Sequence, residues 1–165
     1  MIRGYRESDR EKIKAITVIC FDGVSIDQNI EGVYGLIGGR GWQFRKAGHI
    51  DADVAGEPGG IFVYEVEGET VGYVTARSDR ETKVGRIPNL SVLPDYQRRG
   101  IGRALIEKAI DYLRTAGMEF VRIETLEQNE MGRALYPRLG FREVARQIHY
   151  IKPIRAQAGS GGAMA

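Results

Sequence analysis

A chain of 165 residues, 42% hydrophobic and 28% charged, has the length and composition of one soluble globular domain. Its longest apolar run, residues 15–21, is too short to cross a bilayer, and its charged N-terminus lacks the hydrophobic stretch of a secretory signal; a cytoplasmic protein with no membrane partner is expected. The single cysteine excludes an internal disulfide and a cysteine-based metal cluster, and a net charge of +2 selects no class of partner, although basic residues outnumber acids after residue 76.

The chain opens on a short strand pattern at residues 2–6, and Ser8 or Asp9 then offers a helix cap. Ile13, Ile16, Val18, Ile19 and Phe21 form a helical stripe, with Cys20 read as a small core filler. A second, weaker helical pattern covers residues 26–37. The stretches "IGGRGWQF" and "AGEPGG" read as loops, and a single Gly-Gly-Arg-Gly does not make an RNA-binding tract. From Gly60 the period changes to two, and "IFVYEVEGETVGYVTARS" reads as a hairpin turning at Glu67-Gly68-Glu69. "GRIPNLSVL" reads as a third strand in which Pro88, having no N–H for a ladder, marks a bulge, a splay or an edge. Residues 99–116 form a helix stopped by Gly117, "FVRIETL" a strand, and residues 129–139 a short helix that Asn129 caps and Gly140 ends. "FREVARQIHYIKPI" reads as the last strand region, and residues 156–165 as a low-complexity, disordered tail after a domain spanning 1–155. The order is that of a mixed α/β sheet flanked by helices in one domain.

The chemistry concentrates in "DYQRRGIGRAL", between a strand and a helix. Backbone N–H groups at a helix start lack internal partners and carry partial positive charge, and glycines let an anion approach them. Gln97, Arg98 and Arg99 add donors and charge at the rim. A dinucleotide fingerprint fails here because Leu105 stands at the third glycine position, and a Walker loop fails for want of Gly-Lys-Ser/Thr. "NLSVLPDYQRRGIGRALIEKAIDYLRTAG" resembles the pyrophosphate-binding core of the GCN5-related N-acetyltransferase (GNAT) superfamily, with Gln97, Gly100 and Gly102 on its Gln/Arg-x-x-Gly-x-Gly/Ala signature. "IETLEQNEMGRALYPRLGF" resembles the second block of that family, an asparagine before a helix that ends Leu-Tyr-x-x-x-Gly-Phe.

That resemblance implies an acyl-CoA N-acyltransferase fold in which two neighbouring parallel strands splay, with acetyl-CoA as the acyl donor. It implies that the backbone of Arg98, Arg99, Gly100, Ile101, Gly102 and Arg103, with Gln97, holds a pyrophosphate. Leu90, Ser91 and Val92 would pair with the pantetheine arm, the Val92 N–H would face the developing oxyanion, and Asn129 would bond the donor. It also implies Tyr136 as the general acid that protonates the leaving thiolate, with Pro137 disturbing the local helix. The glutamate that several members use on the third central strand is replaced by Arg86. Glu124, twelve residues before Tyr136 as in the ribosomal-protein alanine N-acetyltransferase branch, is the candidate base. The acceptor is then a primary amine, with a peptide N-terminus or amino acid favoured because an α-amine titrates near 7.7–8.0 and lysine near 10.4. The alternative is a catalytically silent CoA-binding domain acting through protein contacts. No metal or nucleic-acid partner is expected, and a monomer and a homodimer both stay open.

Overall fold

The computed structural model describes residues 1–154, and the low-complexity tail expected from residue 156 lies outside the described residues. The elements are β1 (Ile2–Gly4), α1 (Arg10–Cys20), α2 (Ile26–Tyr34), α3 (Trp42–Gly56), β2 (Ile61–Val66), β3 (Glu69–Thr75), β4 (Val84–Ile87), β5 (Leu90–Val92), α4 (Ile101–Thr115), β6 (Phe120–Ile123) and α5 (Glu130–Arg138). Four strands form one sheet in the order β1-β2-β3-β5, and β4 pairs with β6 in parallel.

Side-chain alternation divides each strand between two cores. Phe62, Val74, Ala76 and Ile87 face α4, where Leu105, Ile106, Ala109 and Leu113 are fully buried. Ile61, Val63 and Tyr73 face the other way, onto Ile13 and Ile16 of α1 and Ile50 and Val54 of α3. Each fully buried aliphatic side chain in these layers contributes about 2 kcal/mol of transfer free energy. The β2–β3 hairpin turns through Glu67 and Gly68, both at positive φ, as a two-residue turn requires.

Three expectations are corrected. The glycine-flanked stretch after residue 37 is not all loop: Ile37 and Arg40 close a tight turn, but Trp42-Gln43-Phe44 already belong to the fifteen-residue α3. The buried positions of α3, Trp42, Lys46, Ile50, Asp53 and Val54, have helical spacing, but a lysine and an aspartate among them hide the apolar stripe. "GRIPNLSVL" is not one strand but two: β4 pairs with β6, β5 pairs with β3, and Pro88-Asn89 stands between them. "FREVARQIHYIKPI" forms no strand; Val144, Ile148, Tyr150 and Ile154 are exposed, since no neighbouring strand among the described residues supplies ladder partners.

Candidate active site

The parting of the sheet is built from backbone chemistry at Asn89. The Thr75 N–H donates to the Asn89 carbonyl (2.9 Å) and the Leu93 N–H to the Val71 carbonyl (2.8 Å). Antiparallel alternation then turns the N–H groups of Leu90 and Val92 away from β3, toward the side where, among the described residues, β5 has no neighbouring strand. β4 has meanwhile gone with β6, so a slot opens beyond Ile87 and Ile123.

The break is held by a buried polar cluster that joins it to α3. The Asn89 N–H donates to Thr75 Oγ1 (3.0 Å) instead of to a ladder carbonyl. Asp53 Oδ2 accepts from both Thr75 Oγ1 (2.8 Å) and Asn89 Nδ2 (2.7 Å), and Lys46 Nζ donates to Asn89 Oδ1 (2.9 Å). All four residues are buried. Lys46 also lies 3.6 Å from the centre of the Phe21 ring, and burial lowers its ammonium to about 8. No sequence motif marks Asp53, Lys46 or Thr75; only the proline at 88 hints that Asn89 sits at a break.

Below β5 the chain makes the glycine junction. Gln97 Nε2 donates to the Val92 carbonyl (2.8 Å), closing the turn through Pro94–Tyr96, so this side chain braces the strand end. Arg98 and Gly100 adopt left-handed conformations, φ 59° and 80°, and Gly100 caps α4. The first helical bond runs from the Ala104 N–H to the Gly100 carbonyl, which leaves the N–H groups of Ile101, Gly102 and Arg103 as orphan donors at the helix start. Arg98 and Arg99 are exposed beside them, Arg99 over the Tyr96 ring at 5.3 Å. A Cβ on Gly102 would stand 3.7 Å from Leu135 and 4.0 Å from Val92, so this glycine lies where β5, α4 and α5 converge. Extended free edge, orphan donors and flanking arginines together fit a long ligand with an anionic end.

Of the two proposed proton carriers, Tyr136 lies on α5 and Glu124 just past the end of β6. Asn129 caps α5 by accepting from the Gly132 N–H (3.1 Å) and donates to Thr125 Oγ1 (2.9 Å). Tyr136 packs its ring edge-on to Phe141 and beside Gly132, and burial pushes its phenol up to about 12, so it holds its proton. Pro137 sits in the last turn of α5; the Leu139 and Phe141 N–H groups both donate to the Tyr136 carbonyl, which closes the helix at Arg138. Glu124 follows β6, is exposed, and pairs with Arg122 (3.0 Å) and Arg86 (3.7 Å). Cys20 donates to the Val92 carbonyl (3.3 Å), and burial raises its thiol to about 11, unlike an activated nucleophile. Gln128, just before Asn129, bonds Asn29 of α2 and the Gly23 carbonyl, tying the approach to α5 to the α1–α2 side.

A parted sheet with a free strand edge running into a glycine-started helix defines the acyl-CoA N-acyltransferase class of fold. The profile of the acetyltransferase (GNAT) family matches residues 32–141, and the chain belongs to that family. Among curated proteins it is 36% identical over 107 residues to an uncharacterized N-acetyltransferase of Methanocaldococcus jannaschii, covering 62% of this chain and 45% of that protein. It is 44% identical over 62 residues to the ribosomal protein bS18 alanine N-acetyltransferase of Escherichia coli, covering 38% of this chain and 42% of that one. The chain thus spans less than half the length of these two relatives. Among solved structures, the PaiA N-acetyltransferase of Thermoplasma acidophilum in complex with coenzyme A superposes with a TM-score of 0.68 at 16% identity, over 86% of this chain and 89% of that one. The Escherichia coli ribosomal-protein-S18-alanine N-acetyltransferase superposes at 0.62 with 21% identity, over 88% and 79%.

Proposed function

We propose that this protein is a cytoplasmic N-acetyltransferase that moves an acetyl group from acetyl-CoA to a primary amine by direct attack in a ternary complex. The observation that carries this reading is the unpaired edge of β5, with the Val92 N–H turned into the slot between β5 and the β4–β6 pair. The residues fit the donor: an extended amide-bearing arm can add to β5 as a strand would, and a pyrophosphate can take the orphan N–H groups of Ile101, Gly102 and Arg103 beside Arg98 and Arg99. Bound acetyl-CoA supplies an activated thioester carbonyl.

Every other contribution comes from the chain. The Val92 N–H stabilises charge on the carbonyl oxygen during attack. Holding both substrates in line replaces a bimolecular encounter, worth on the order of 7–11 kcal/mol in well-oriented systems. Tyr136, kept protonated by burial, gives its proton to the departing sulfur, and Glu124 accepts one from the attacking amine. The bS18 acetyltransferase, whose name specifies an alanine of a ribosomal protein, supports a peptide N-terminus or amino acid as acceptor.

The test is a thiol-release assay with acetyl-CoA over a panel of amines and N-terminal peptides, alongside calorimetry with CoA. Turnover with at least one amine supports the enzyme. CoA binding with no turnover across the panel would instead support a silent CoA-binding domain, and no heat with CoA would overturn both readings.

A further inference from the structure

Arg77, just past the end of β3, stands opposite Arg86 of β4, which in turn stands beside Arg122 of β6. Arg77 and Arg86 exchange backbone hydrogen bonds in both directions (2.9 and 2.8 Å), and Arg86 is in register with Arg122 in the parallel β4–β6 pair. Their neighbours fix which way they face. Ala76, Ile87, Val121 and Ile123 pack toward α4, and a Cβ on Gly85 would strike Leu113 of α4. By alternation all three arginines project from the opposite face, beside the end of α3. Like charges directly opposite on a sheet repel and destabilise it. This chain nevertheless puts three in a row.

The row is under-neutralised. Arg77 lies 3.6 Å from Asp53, whose other carboxylate oxygen is already committed to Thr75 and Asn89, and bonds the Ala52 carbonyl at the end of α3. Arg86 and Arg122 share the one carboxylate of Glu124. Their side chains remain half exposed, at 50% and 56%. They line a groove of roughly 370 Å³ with Arg77, Ser78, Thr82 and Val84. Asp79, also on its wall, spends its Oδ1 on the Glu81 and Thr82 N–H groups.

At Arg86 and Arg122 the groove comes within one residue of Ile87 and Ile123, where the strands diverge; the rest of its lining runs the other way, to Val84, Thr82 and Ser78. It lies on the face away from α4, so it is separate from the glycine junction at the start of α4. Arginine's planar fork suits a carboxylate in particular. We propose that the arginine row is a specificity site for the acceptor, selecting an amine that carries a carboxylate near the reacting nitrogen. This rests on the N-acetyltransferase reading. An incoming carboxylate takes the place of Glu124 on Arg86 and Arg122, and Glu124 is released toward the amine. Two sources have this chemistry: the acidic side chain of a peptide's first residues, and the α-carboxylate of a free amino acid.

The test compares acceptors with acetyl-CoA at saturation: C-terminally amidated peptides with Asp or Glu, Ser, or Lys at the second position, and free amino acids beside their amides. Acidic peptides or free amino acids should exceed their neutral counterparts in kcat/KM by about tenfold per arginine engaged, the scale of one charge-assisted hydrogen bond. Arg86→Gln and Arg122→Gln should erase that preference, bringing the kcat/KM of acidic acceptors down to that of neutral ones in the same variant, and Arg86→Glu should turn it toward the Lys peptide. Equal rates for all charges, or a preference that survives both substitutions, would overturn the proposal while leaving the acetyltransferase standing. Direct titration of the CoA-loaded protein with fluorescent acidic and neutral peptides reads the same preference without turnover. Equal affinities there overturn the proposal, whereas tighter acidic binding without acetylation keeps the anion site and sinks the enzyme.

Discussion

At Tyr136, burial does two things. It sets the ring against Phe141 and Gly132, and it holds the phenol's proton up to about pH 12. Tyr136→Phe should therefore lower kcat on the order of a hundredfold, within the range of general-acid catalysis, and leave the dissociation constant for CoA unchanged. Single-turnover kinetics and calorimetry check the two halves separately. Lys46 has the opposite titration. Its folded value near 8 lies below that of a free lysine, so between about pH 8 and pH 10 the unfolded chain binds the extra proton and the fold gains stability as pH rises. Comparing wild type with Lys46→Met by chemical denaturation isolates this group: the difference should move in favour of wild type as pH is raised through that window. Asp53 is the most exposed to loss. Asp53→Ala removes the acceptor for Thr75 Oγ1 and Asn89 Nδ2 and leaves the buried Lys46 with Asp27 as its remaining nearby carboxylate, which should cost about 3 kcal/mol in a urea melt.

At the scale of elements, the helix start at Gly100 combines two requirements. Its φ of 80° suits glycine, and no atom crowds the place a side chain would take. Gly100→Ala should thus cost only the left-handed strain, about 1 kcal/mol, measurable as a lowered denaturation midpoint. Elements of this kind were legible in the sequence because glycine, arginine and a hydrophobic period of 3.6 all fall within one short stretch. The same holds for the Asn129 cap and for the β2–β3 hairpin. α3 was not legible, because its inward face carries Lys46 and Asp53, whose partners Asn89 and Thr75 lie far along the chain. The break of "GRIPNLSVL" into β4 and β5 was half legible: Pro88 announced an interruption, but which sheet each half would join depends on β3 and β6. The arginine row could not be read at all, since strand register alone puts residues 77, 86 and 122 side by side.

Across the whole molecule, stability is unevenly spread. The interior lies in the two layers around β2 and β3, whereas residues 142–154 carry exposed side chains and touch the body through few contacts, among them Tyr34 to the Ile151 carbonyl (3.3 Å) and Arg146 to Glu127 (3.1 Å). Hydrogen exchange should show it: amides of β2 and β3 protected to near the global unfolding free energy, those of residues 142–154 exchanging almost freely. The strand expected over residues 141–154 fails to form for the same reason. Its alternation of Val144, Ile148, Tyr150 and Ile154 is a genuine strand pattern, but a pattern becomes a strand only beside a partner.

Gln128 gives the molecule a mechanical coupling. Its amide clasps Asn29 and the Gly23 carbonyl, and the next residue in the chain is the cap that seats the helix bearing Tyr136. A displacement of α2 would therefore be passed to the start of the helix that bears Tyr136.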